Sequence, residues 1–260
     1  MLEELLADLA TESDALRAAV APLDDAGWRS PTPAQGWDIA TQIGHLAWTD
    51  EASLAAAAWA KGDPAGWDAL VAAALADPAH FVDASAAAVA AAPPAELLAR
   101  WDAGRTALAA ALREADGRLP WFGPPMSPAS MATARFMETW AHGLDVYDAL
   151  GIEPERSDRV RHVCHLGIRT RGFAFAAHGL EAPAEEFRVS LILPSGALFE
   201  AGPAEAAQSV TGSAWDFARL VTQRVHRDDT DLVAVGADAE RWLTIAQAFA
   251  GQPGGGRSRA

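Results

Sequence analysis

The chain is poor in cysteine, in lysine, in positive charge overall and in long apolar runs. Its one cysteine, Cys164, excludes an intramolecular disulfide framework and any zinc or iron–sulfur site built from several cysteines. A lone cysteine suits a reducing compartment. Lysine occurs once, at Lys61, and arginine supplies the other 19 of the 20 cationic side chains. Against 35 acidic residues this leaves a formal net charge of −15. Phosphate binding rests on clustered Lys and Arg, so no nucleic-acid partner is expected. The first residues, MLEELLADLATESDAL, are acidic where a signal peptide needs basic ones. The alanine-rich stretch 86–92 falls far short of the about 20 apolar residues that span a bilayer. The expectation is a soluble, cytoplasmic protein with no membrane partner.

What is present is apolar surface. Half of the 260 residues are hydrophobic, enough for one large domain or two small ones with a real core. Leu2, Leu5, Leu6, Leu9, Leu16 and Val20 recur at helical spacing, so 2–20 reads as an amphipathic helix. SPTPAQGW is a Pro/Gly loop, after which Asp38 caps a helix over 39–60. Breaks at KGDPAG and at Pro93-Pro94 bound a third helical stretch, in one or two pieces, and a helix follows over 95–115. Residues 116–130, DGRLPWFGPPMSPAS, hold four prolines and two glycines and cannot be regular helix. A helix over 131–150 then ends at Gly151. Four long helices joined by loops point to a bundle.

The pattern changes after Gly151. One more helix is expected over 158–179. FRVSLIL reads as a strand over 187–193, returning through Pro194-Ser195-Gly196 into 197–200. A third strand lies at 209–211, Ser213 caps a helix to 225, LVAV is a strand at 232–235, and 237–250 closes as a helix. The fold class is therefore α+β, mainly α. The expected organisation is a helical bundle over 1–152, a connecting helix over 153–180, a small α+β domain over 181–250 and a disordered tail over 251–260.

One constellation can carry chemistry. Glu138 and His142 in METWAHGLDVYDALG stand four residues apart, about 40° of rotation on a helix, so both point to one side. A carboxylate and an imidazole are normal ligands of a divalent ion such as zinc. Asp145 continues the stripe and is placed to hold the other nitrogen of His142. The competing reading is that Arg135, Glu138, His142 and Asp145 form a solvated face with local ion pairs, opposite an apolar stripe of Phe136, Trp140, Leu144 and Tyr147. His45 sits on a mixed face of the 39–60 helix, beside Thr41, Trp48 and Thr49. With it, two helices of one bundle present His/Glu/His, a three-ligand set that leaves one coordination position open.

TPAQGWDIATQIGHLAWTDE and METWAHGLDVYDALG together resemble the metal-binding domain of the mycothiol-dependent maleylpyruvate isomerases, within the wider DinB-like group of four-helix-bundle thiol-dependent metalloproteins. That family's ligands are a histidine in the second helix and a Glu-x-x-x-His pair in a late helix, matching His45, Glu138 and His142. Many DinB-like relatives carry three histidines, so Glu138 places this chain nearer the mycothiol branch. The resemblance covers about residues 1–150. The C-terminal part resembles a group labelled "wyosine base formation", carried by AWDFARLVTQRVHRDDTDLVAVGADAERWLTIAQAFAG. That label points by analogy to tRNA modification, but the enzyme behind it uses an iron–sulfur cluster that one cysteine cannot supply. The isomerase's own C-terminal domain is sterol-carrier-like, and the order of elements over 187–250 fits that architecture without a residue-by-residue match.

The resemblance implies a divalent metal, zinc in the family, and mycothiol as co-substrate. The partners are then a small-molecule thiol and an electrophile, and the reaction is S-transfer or isomerisation. A divalent cation favours the thiolate, which is the nucleophile. Trp121, Phe122 and Met126 in the proline-rich loop are candidate walls of the ligand pocket, against the alternative of a rigid crossover with buried aromatics. Three other features read as structural. His162, Cys164 and His165 offer two co-facial histidines at most. Ser195 lies in a hairpin turn without a nucleophile-elbow context. Arg224 and Arg227 suit a helix C-terminus. The alternatives to an enzyme are a non-catalytic metal or small-ligand binding protein of the same fold and a tRNA-linked role.

Overall fold

The computed structural model describes residues 1–249, 251 and 253–259. It divides into two compact units, Met1–Pro154 and Glu155–Ala260.

The first unit is helical. α1 (Leu2–Val20), α2 (Asp25–Trp28), α3 (Ile39–Ala60), α4 (Ala65–Ala76), α5 (Phe81–Ala90), α6 (Pro94–Glu114) and α7 (Pro128–Leu150) follow in order. α1, α3, α6 and α7 form the bundle, with α3 packed against α6, α5 and α7, and α1 against α7. Local chemistry sets the ends. The Asp38 carboxylate accepts from the Thr41 N–H at 2.8 Å and caps α3. α7 starts three residues before the expected 131, because Ser127 caps it and Pro128 takes the first turn, where its missing N–H costs nothing. Gly151 closes α7 at φ 64°, a left-handed cap that favours glycine. The stretch between α3 and α6 is two helices, split at Asp77. Gly44 lets α5 approach α3 closely: a Cβ there would stand 2.6 Å from the Ala86 carbonyl oxygen. Leu16, Trp28, Ile39, Ile43, Leu46, Leu97, Trp101 and Val146 share the core around this seam.

The second unit is α+β. A 3-10 turn, Asp158–Val160, leads into α8 (Arg161–Arg169) and α9 (Arg171–Ala177). β1 (Arg188–Ile192), β2 (Leu198–Ala201) and β3 (Ser209–Ser213) precede α10 (Ala214–Val221); β4 (Val233–Val235) precedes α11 (Ala237–Ile245). The sheet order is β2-β1-β3-β4, with β1 and β3 parallel and both outer pairs antiparallel. Val189, Leu191 and Val210 alternate onto the buried face, and Phe187 and Phe217 pack on Trp242.

The single helix expected over 158–179 is instead two helices within the second unit. At Thr170 the hydroxyl bonds back to the Leu166 and Gly167 carbonyls and also to that of Gln247. Such back-bonding competes with the helical ladder and bends it. The helix from Ser213 ends at Val221 rather than 225, because Gln223 turns to φ 61°. The closing helix ends at Ile245, and Ala250, its expected last residue, lies outside the described residues, as do Gln252 and Ala260 of the expected tail. No single helix among the described residues is long and apolar enough to cross a membrane.

Candidate metal centre

α3 and α7 face each other in the bundle and bring His45 to Glu138 and His142. The Nε2 atom of His45 lies 3.1 Å from Oε2 of Glu138, and Nε2 of His142 lies 3.1 Å from that same oxygen. The imidazole centroids are 4.5 Å apart. All three donor atoms lie within 4.8 Å of one another, and they form the only such group of three among the described residues. Ligands about 2.0–2.1 Å from one tetrahedral ion stand about 3.3 Å from each other, close to the spacing found here.

The solvated-face reading of α7 does not survive. Arg135 is 2% exposed and Asp145 1%, while Phe136 and Trp140 on the opposite stripe are buried as well. α7 is wrapped on both faces, and its polar stripe points into the bundle. Trp140 is core.

Gln42, one turn before His45, organises the polar stripe. Its Nε2 donates to the Thr32 hydroxyl at 2.8 Å and points to Asp145 Oδ2 at 3.5 Å. That leaves Oε1 facing His142 Nδ1 at 2.5 Å. A carbonyl oxygen only accepts, so Nδ1 carries a proton toward Gln42 and Nε2 is the ring nitrogen that faces Glu138. Asp145 joins the same network through its contact with the Gln42 amide. At 3.1 Å from a carboxylate oxygen, Nε2 either carries a proton and donates to it or shares a metal cation with it. His45 has a different support. Its buried Nδ1 has no hydrogen-bond partner, and its ring is held between Trp37 and Trp48 at 5.3 and 5.9 Å.

Electrostatics favour an ionised Glu138. Burial by itself raises its pKa, but hydrogen bonds from His142 and His45 and the charges of His45 and Arg135 outweigh that and hold the carboxyl well below its usual range. Arg135, one turn earlier, brings Nη2 to 3.8 Å from Oε1 of Glu138. Asp50, further along α3, behaves oppositely. Burial pushes it up to about 7, against the pull of Arg135 and Arg105 and a hydrogen bond with Trp101.

An aromatic band adjoins the ligands. Trp37 stacks on the His142 ring at 5.7 Å and 14°. Trp48, beside His45, meets Phe81 at 5.3 Å and Phe122 at 6.4 Å. Phe122 also packs on Trp67 and stays 41% exposed, and Trp121 stacks on Trp67 at 5.9 Å. Of the three loop residues singled out from sequence, Phe122 thus lies one ring from His45 through Trp48, and Trp121 lies against Arg135. Met126 is tied by backbone hydrogen bonds to Leu119, which fold the loop back on itself. Sequence reasoning missed Trp37 and Gln42. The signal was available: positions 38, 42, 45 and 49 form one stripe of α3, starting at the Asp38 cap, with Trp37 beside it.

The remaining clusters are structural. Cys164 is fully buried, burial pushes its thiol far up, and its Sγ donates to the Ala214 carbonyl. Both the hydroxyl and the N–H of Ser195 donate to Asp158, which pins the hairpin turn. Arg227 donates to the Thr230 hydroxyl and the Leu232 carbonyl, and Arg224 to the Thr222 carbonyl.

Comparison with known proteins agrees with this architecture. Two crystal structures of the mycothiol-dependent maleylpyruvate isomerase share the fold at 18% identity, over 90% of this chain and 92% of theirs. The TM-score is 0.61 for a histidine-to-alanine mutant of that enzyme and 0.58 for the other. Two Mycobacterium tuberculosis proteins, from strains CDC 1551 and H37Rv and each called only an uncharacterized protein, are 57% identical over 254 residues, 97% of both chains. The match to the described family spans residues 9–147, more than half of the sequence and all three convergent side chains, so the chain belongs to the mycothiol maleylpyruvate isomerase N-terminal domain family.

Proposed function

We propose that this protein is a metal-dependent enzyme that uses a low-molecular-weight thiol, mycothiol in its family, for S-transfer to or isomerisation of a small electrophile. The observation that carries the reading is the meeting of His45 Nε2, Glu138 Oε2 and His142 Nε2 at one point. Two neutral imidazoles and one carboxylate suit a divalent ion, zinc by donor type, and leave one position open. When bound, such an ion supplies the positive charge that favours the thiolate over the thiol at that position.

The chain's own residues do the rest. Gln42, anchored by Thr32 and Asp145, accepts from Nδ1 of His142 and so turns Nε2 toward Glu138, where it can serve as a ligand atom. Trp37 and Trp48 hold the two rings in place. Glu138 stays ionised and contributes a negative charge. Trp48, Phe81, Trp121 and Phe122, with Met126 at the base of the loop, form the proposed wall of the ligand pocket; it excludes water and accepts an apolar group.

Metal analysis of the untagged protein tests the site: about one divalent ion per chain in the wild type and almost none in His142→Ala. The thiol is tested on the cobalt-substituted protein, where mycothiol should produce a sulfur-to-metal charge-transfer band. A metal-loaded protein with no such band would retain the site and lose the thiol reading.

A further inference from the structure

We infer that Arg135 is a positioning residue for Glu138: it holds Oε1, so that the carboxylate offers a metal ion the single oxygen Oε2. The inference rests on the metal-centre reading above. The two oxygens of Glu138 have different surroundings. Oε2 lies 3.1 Å from Nε2 of both His45 and His142. Oε1 faces Nη2 of Arg135 at 3.8 Å.

Arg135 has no evident duty except toward this carboxylate. It lies in the middle of α7, so it caps nothing. Its side chain is 3% exposed, so it does not serve solubility. Its Nε and Nη1 are buried without a hydrogen-bond partner, so neither commits the guanidinium to another group. Trp121 lies against it, with Cζ 5.3 Å from the ring centroid, and limits its motion. A buried, desolvated cation is costly unless opposite charge balances it. The carboxylate that does so is Glu138 beside it.

The consequence is a coordination number. A carboxylate can bind an ion through one oxygen or through both. With both, Glu138 and the two histidines would occupy four positions, and a four-coordinate ion would have no place left for a thiol. A guanidinium at Oε1 draws off that oxygen's charge and makes it the poorer donor. Three protein donor atoms then remain, and one position stays open.

Cobalt reports the difference, because its visible d–d bands are more intense in four-coordinate than in five-coordinate sites. Metal-free full-length protein is loaded with Co2+ as wild type, Arg135→Leu and Arg135→Lys. The wild type should show the intense four-coordinate spectrum. Arg135→Leu should still bind about one Co2+ per chain, with absorption reduced roughly two-fold or more as the second oxygen joins. Arg135→Lys, which restores the charge, should recover most of the intensity. A wild-type spectrum in Arg135→Leu overturns the inference. A wild type that takes up no cobalt overturns the metal-centre reading itself, which is a separate failure. Should Arg135→Leu fail to fold, X-ray absorption on the zinc-loaded wild type decides: one short carboxylate oxygen supports the inference, and a bidentate pair overturns it.

Discussion

α7 carries Glu138 and His142 one turn apart and α8 carries His162 and His165 one turn apart, yet among the described residues α7 alone joins a group of three potential ligands. On α7, His142 and Glu138 meet His45 from α3, Gln42 accepts from Nδ1 of His142, and Arg135 and Asp145 complete a buried polar stripe. On α8, Cys164 donates to a backbone carbonyl, and among the described residues no carboxylate or histidine from another element completes a group of three. Local spacing is nearly the same in the two helices. What differs is what the partner helix brings. α3 presents polar side chains to α7, whereas α10 packs on α8 with the apolar Val221 held close to Gly167.

The sharpest way to break this contrast is metal analysis of paired variants. His142→Ala and His45→Ala should each reduce bound metal from about one ion per chain to almost none, while His162→Ala and His165→Ala leave it unchanged. Equal loss from an α8 variant would dissolve the distinction.

The second test concerns Asp50, the buried carboxyl group of the bundle. An unfolded aspartate titrates near 3.9, whereas folded Asp50 sits at about 7. Between those values the native state holds a proton that the unfolded state has released, so stability falls as pH rises across that window. Asp50→Asn removes this term. Its stability relative to wild type should rise between pH 4 and pH 8, by at most about 4 kcal/mol, as read from urea midpoints. Parallel curves for the two proteins would mean that Asp50 is ionised throughout.

Smaller effects sharpen the picture. Gln42→Ala should weaken metal binding by about 10–100-fold while keeping the fold, because the His142 ring loses the amide that accepts from Nδ1. An unchanged affinity, measured by competition with a chelator, would assign ring orientation to the other neighbours of His142, Trp37 among them. Cys164→Ala should cost about 1 kcal/mol of stability through lost packing and leave metal content untouched. A larger loss with altered metal binding would give this thiol a role that its burial argues against.

Much of the fold was legible in the sequence for definite reasons. Asp38 before an apolar helix, Ser127-Pro128 and Gly151 are local stop and start signals, and helix ends obey local chemistry. The Glu138/His142 pair was visible because four residues return to the same helix face. Thr170 was not visible as a break, because a threonine bends a helix only when its hydroxyl finds carbonyls, and one of those belongs to Gln247 far along the chain. Gln42 stayed silent for a similar reason: an amide acquires meaning from its neighbours, and its neighbours are Thr32, His142 and Asp145.

The sequence by itself determined the order of helical and strand segments, the acidic character, the absence of a disulfide framework and the residue types able to bind a metal. These depend on periodicity, capping and composition, all readable within a few residues or by counting. Only the tertiary structure decided whether the polar stripe of α7 faces solvent or the bundle, since both choices satisfy the same 3.6-residue period. Packing against α3 resolved it by burying Arg135 and Asp145 and bringing His45 within 3.1 Å of Glu138, a distance between residues 93 positions apart.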